Sequence, residues 1–156
     1  MSRPRDACIN GGMDDRFNLD RFVKAQASVY DIVLGELRAG QKRGYWIWYV
    51  FPRISGLGST PTDTTYSIRS LAEARAYLQH PVLGPRLVQC IQTVNAVRGR
   101  SAADIFGYTD ELKFRSCLTL FQLAAAGPKE KAPFQAALDK YFDGKPDQVT
   151  VGKLGR

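Results

Sequence analysis

Lys42-Arg43-Gly44-Tyr45-Trp46-Ile47-Trp48-Tyr49-Val50-Phe51-Pro52-Arg53 holds both tryptophans of the 156-residue chain, set among aromatics and bracketed by cations. As a strand it would call for a sheet; as a helix it leaves the chain all-α. Aromatic and β-branched content favours a strand. Yet strict alternation is missing, and Trp46, Tyr49 and Val50 fall on one helical face. No matching partner strand occurs elsewhere. The block is therefore read as a short buried helix that ends before Pro52, since proline disfavours helical geometry in the residue it follows.

Upstream, Asn18 is the expected N-cap of a first helix, which carries Phe22, Ala25 or Gln26, Val29, Val33 and Leu37 at helical spacing and stops at Gly40. Downstream of the block, residues 53–66 are rich in Gly, Ser, Thr and Pro and read as one long loop. Ser70-x-x-Glu73 has a capping-box pattern and opens a helix through Gln79. A further helix follows Pro85, directs Leu87, Val88, Ile91, Val94 and Val97 inward and ends near Gly99. Ser101-x-x-Asp104 caps a brief helix stopped by Gly107. Another starts at Thr109 or Asp110 and ends at Gly127-Pro128; a last one runs from about Pro133 to Phe142, with one further turn in the tail. The expected architecture is an all-α, compact single-domain bundle of about six or seven helices over residues 17–156, with residues 1–16 as a disordered leader.

Lys and Arg number 22 against 15 Asp and Glu, a net charge of +7. That balance favours anionic partners. The basic residues are dispersed rather than massed in a stripe, so a phosphate-bearing small molecule is preferred to nucleic acid as the partner. No apolar run approaches the roughly 20 residues of a membrane span and no secretory segment is seen, which gives a cytoplasmic expectation. Three scattered cysteines, Cys8, Cys90 and Cys117, and one histidine, His80, make no metal-ligand spacing. No metal and no cofactor are expected; Cys90 and Cys117 read as small buried hydrophobes, and His80, just before Pro81, as a backbone hydrogen-bonding residue. Gly-Lys-Ser/Thr, GxSxG and HExxH signatures are lacking.

The segments Phe22-Val23-Lys24-Ala25-Gln26, Trp46 through Pro52, Gly56-Leu57-Gly58-Ser59, Glu73 through Leu78, His80 through Leu87, Asp104-Ile105-Phe106-Gly107 and Lys113 through Phe121 together resemble the uncharacterised bacterial family catalogued as domain of unknown function 1810. Some of its members carry a calpastatin label that nothing in these residues supports. The resemblance implies a mainly helical fold and brings no established activity. Two departures stand out: Tyr45 occupies a position where the family pattern usually has histidine, and Arg53 one where it usually has glutamine.

The candidate site is a pocket for an anionic, nucleotide-like or ADP-ribose-like molecule. Gln26, Tyr45, Trp46, Trp48, Arg53, Gly56, Gly58, Ser59, Tyr66, Lys113, Arg115 and Ser116 are its proposed lining. An indole stacks a ring; cations and loop amides hold phosphate. Hydrolysis would need a nucleophile or base that the sequence does not place. The alternative is a non-enzymatic module that uses a basic surface to bind protein or nucleic acid.

Overall fold

In the computed structural model, residues 15–154 are described. Among them the chain forms nine helices: α1 (Asp20–Ala27), α2 (Tyr30–Arg38), α3 (Ile47–Val50), α4 (Pro61–Tyr66), α5 (Leu71–Gln79), α6 (Leu83–Asn95), α7 (Ala102–Ala124), α8 (Pro128–Phe142) and α9 (Gln148–Lys153). The all-α expectation holds, with more helices than the six or seven read from sequence. Most of the expected leader lies outside the described residues. Asp15 is within them, and its carboxylate accepts the amides of Leu19 and Asp20.

The split first helix, α4 and the tail turn counted as α9 raise the number, while the two helices expected on either side of Gly107 form one kinked α7. The expected first helix is two, broken at Ser28 and Val29, where a polar and a β-branched residue meet. Asn18 is not its cap: it adopts φ 52°, and Asp15 satisfies the first amides instead. The expected long loop is shortened by α4, whose Thr60 and Asp63 form a reciprocal capping box with Pro61 at the first helical position. Gly127-Pro128, read as a terminator, instead opens α8 with Gly127 as cap and Pro128 at its first position, so Pro133 lies inside that helix.

Other boundaries follow the sequence. Gly40 (φ 73°) closes α2, with its own amide donating to Leu37 O and the Gln41 amide to Glu36 O, a Schellman arrangement. Gly107 (φ 84°) interrupts α7 after its Ser101/Asp104 capping box. The aromatic block forms α3, with Trp46, Ile47, Val50 and Phe51 buried.

The core gathers Phe22, Val33, Leu37, Phe51, Tyr77, Leu87, Ile91, Phe114, Phe121 and Phe134. α7 packs on α5, α8 and α9, while α6 packs on α2, α5 and α8. The α5–α6 junction depends on Gly84: a Cβ there would stand 2.2 Å from the Leu78 carbonyl oxygen. Cys90 and Cys117 are buried free thiols, as expected, and burial pushes the Cys90 thiol up to about 12. His80 Nδ1 accepts the amides of Val82 and Leu83, which explains it as a structural residue. Among the described residues no helix is long and apolar enough to cross a membrane, and no group of three or more His, Cys, Asp or Glu is placed to hold a metal.

Candidate functional site

A parallel bridge between Ile54 and Ile68 ties the chain leaving α3 to the chain leaving α4. Ser55 N donates to Ile68 O at 2.8 Å, and Ile68 N to Arg53 O at 2.9 Å. Both isoleucines are buried, so the bridge is anchored in the core and its polar flanks face outward. Arg21 fixes the far wall. Its guanidinium donates to Thr65 O, to Ser67 O and to the buried Glu73 carboxylate at 2.7–2.8 Å. Between these walls lies a groove of about 420 Å³, lined by residues 53–56 and Gly58 on one side and by Asp63, Thr64, Ser67 and Arg69 on the other.

Asp63 organises one side of it. Its Oδ1 accepts Trp48 Nε1 at 3.1 Å and Arg53 Nη2 at 3.3 Å; its Oδ2 accepts the Thr60 amide at 3.1 Å and hydroxyl at 2.7 Å. Desolvation pushes this carboxyl up, but the Thr60 hydrogen bonds and the Arg53 charge outweigh it and hold the pKa below the usual range. Gly58 must be glycine here, because a Cβ would lie 2.4 Å from the Asp63 carboxyl carbon. Lys113 Nζ sits 4.9 Å from the Trp48 ring centroid and 3.5 Å from Asp110 Oδ1.

The structure thus gathers Trp48, Arg53, Gly56, Gly58, Tyr66 and Lys113 from the expected set into two adjoining recesses. The recess between Trp48, Arg53, Tyr66 and Lys113 measures only about 10 Å³, the room of one water, so no aromatic ring fits against Trp48 there. Ser59 is exposed on the loop beside Gly58.

The remaining residues lie apart. Trp46 is 3% exposed, with Nε1 donating to Glu36 at 2.9 Å, and it cannot stack a ligand. Tyr45 stands 84% exposed. Gln26 is buried and braces the core: its Nε2 donates to Tyr49 O at 2.7 Å and Tyr77 Oη at 3.1 Å. Arg115 donates to the carbonyls of Lys145 and Pro146, and Ser116 to Asp147 at 3.0 Å; both hold the chain entering α9. The expected convergence of Arg53, Lys113 and Arg115 therefore fails at Arg115, whose guanidinium is used up by carbonyls.

Sequence reading missed three groups at the groove. Asp63 was legible, since Thr60-Pro61-x-Asp63 is a capping pattern. Arg69 and Lys153 carry no local signal. Arg69 lines the groove from beyond the bridge, and Lys153 arrives from α9, its Nζ lying 2.8 Å from where a Cβ on Gly56 would stand.

Comparison with known proteins agrees with this architecture. The chain is similar to the conserved hypothetical protein Rv1873 from Mycobacterium tuberculosis in its crystal structure, with 52% identity and a TM-score of 0.87 over 91% of this chain and 99% of that one. No curated protein matches. Residues 16–154 match the family described as protein of unknown function (DUF1810), and the chain belongs to that family.

Proposed function

We propose that the protein binds a phosphate-bearing small molecule in the groove between the 53–59 loop and the Ser67–Arg69 segment. One observation carries the reading: apart from Asp63, whose carboxylate is already engaged, the groove is edged by cations and amide donors. The Arg69 amide donates to Glu73 Oε1, but the Arg69 guanidinium and the Lys153 ammonium have no hydrogen-bond or ion-pair partner among the described residues, and the amides of Gly56, Leu57, Gly58 and Ser59 donate to none there. Successive free amides beside two or three cations are a favourable environment for phosphate oxygens. Arg53, half neutralised by Asp63, completes the positive side.

The reading stops at binding. Asp63, the carboxylate on the groove among the described residues, already accepts four donors and sits below its usual pKa, so it is poorly suited to act as a base. The ligand's non-phosphate part lies over the open groove rather than on an indole.

Calorimetric titration with pyrophosphate, AMP and ADP at low ionic strength tests this. Saturable binding that weakens with added salt is expected, with Arg69→Ala combined with Lys153→Ala raising Kd at least about tenfold. Absence of saturable heat with all three ligands overturns it. A second reading, a protein-interaction surface, draws on Tyr108 (83% exposed) and Leu112 (59%), one helical turn apart on α7. A partner whose binding is lost in Tyr108→Ser and unaffected by pyrophosphate would support that reading.

A further inference from the structure

A second groove, of about 540 Å³, opens between α5, α6 and the α7–α8 junction, and shares no lining residue with the first. Its volume lies within the roughly 300–1,000 Å³ of small-molecule sites. The groove exists because its walls carry little bulk: Gly84, forced by the Leu78 carbonyl, and the run Ala124-Ala125-Ala126. Leu78, Val88 and the core residue Phe134 supply apolar surface.

The rim differs from the floor. Arg75 and Lys129 line it, both are exposed, and neither side chain has a hydrogen-bond or ion-pair partner among the described residues. The acid on the same rim, Glu130, lies against its own helix start, with Oε1 3.2 Å from where a Cβ on Gly127 would stand. Apolar walls under unpaired cations complement a molecule that is apolar along its length and negative at one end. We propose that this groove binds a medium-length fatty acid, its chain along Leu78, Val88 and Phe134 and its carboxylate at Arg75 and Lys129. Burial removes alkyl surface from water; the charged head stays at the wet rim, where a cation pair costs little desolvation.

The test is calorimetry and two-dimensional NMR on the full chain with hexanoate, octanoate and decanoate, each below its micellar concentration. Kd is expected to tighten by up to about an order of magnitude for every two methylenes. Shifts should centre on α6 and the α7–α8 junction. Ala126→Trp, on an exposed lining position, should abolish binding with the thermal melt retained. Arg75→Gln with Lys129→Gln should weaken decanoate and leave decanol unchanged. Binding independent of chain length, equal binding of decylammonium, persistence in Ala126→Trp, or binding only of an acidic amphipathic peptide overturns the proposal. Pyrophosphate titrations of the same variants should be unaltered, so the two grooves succeed or fail separately.

Discussion

Trp46 and Trp48 stand two residues apart and are held by the same chemistry, yet they have opposite fates. Each indole N–H donates to a carboxylate, Glu36 at 2.9 Å and Asp63 at 3.1 Å. Each ring carries a lysine ammonium near its face, Lys42 at 5.3 Å and Lys113 at 4.9 Å. Both lysines share one counterion, with Asp110 Oδ2 2.9 Å from Lys42 and Oδ1 3.5 Å from Lys113. The difference lies in what else the carboxylate holds. Glu36 Oε1 also takes the amides of Arg43 and Gly44, so it is consumed closing a turn over a buried ring. Asp63 accepts from Arg53 and from the Thr60 amide and hydroxyl at the start of α4, and so leaves a cation at the edge of an open groove. An aromatic residue flanked by cations does not distinguish a buried brace from a half-buried ring beside an open groove; the second partner of the acid does.

The largest expected effect separates the two rings by stability. Trp46→Ala should cost about 3–5 kcal/mol in urea unfolding, as full truncation of a buried aromatic does. Trp48→Ala, at a half-buried position, should cost clearly less. Equal losses would mean that both rings are core and the groove wall is no special surface. Next in size is Asp110→Ala. It removes the counterion of Lys42, whose side chain is 7% exposed and keeps only the Gly44 carbonyl and the Trp46 ring, and should cost about 2 kcal/mol. If the shared counterion couples the sites, the losses from Lys42→Met and Lys113→Met should each shrink in the Asp110→Ala background.

Glu36 gives a pH handle on the brace. Desolvation raises its pKa, but the hydrogen bonds from Arg43, Gly44 and Trp46 outweigh this and leave the carboxyl below its ordinary value of 4.5. A carboxyl depressed in the folded state stabilises fully above its unfolded pKa and loses that contribution as pH falls through the folded one. Glu36→Gln should therefore cost about 1 kcal/mol at neutral pH. The difference from wild type should narrow as pH drops below about 4.5. A gap that stays constant into acid would show that the hydrogen bonds, not the charge, secure the turn.

How far the sequence shows this depends on the range of the interaction. Helix stops at Gly40 and Gly107, caps at Ser70 and Ser101, and the helical reading of the aromatic block are local, and all were legible. The Ser28–Val29 break was not, because helical periodicity continues across it. Half of the candidate site was legible for the same reason: Trp48, Arg53, Gly56 and Gly58 are neighbours in sequence. Arg115 looked equivalent to Lys113 two residues away, but carbonyls of Lys145 and Pro146 some thirty residues on claim it. Arg69 and Lys153 reach the groove only through tertiary packing, which no local pattern encodes.

The smallest effect is the sharpest test of the open side of the comparison. Asp63 is the N3 partner in the Thr60 capping box, and an amide oxygen there can still accept the Thr60 amide and hydroxyl, so Asp63→Asn should cost no more than about 1 kcal/mol in stability. Its consequence at the groove has the opposite sign. Removing one negative charge about 4 Å from a bound anion in a solvent-facing site is worth about 1 kcal/mol, so pyrophosphate should bind about fivefold more tightly. Glu36→Gln, equally one charge but enclosed around Trp46, should leave pyrophosphate affinity unchanged. Single-tryptophan variants read out the same contrast: with Trp46→Phe the remaining Trp48 emission should respond to pyrophosphate, and with Trp48→Phe the remaining Trp46 emission should not. A response from Trp46 alone would place the anion on the brace and dissolve the distinction between the two rings.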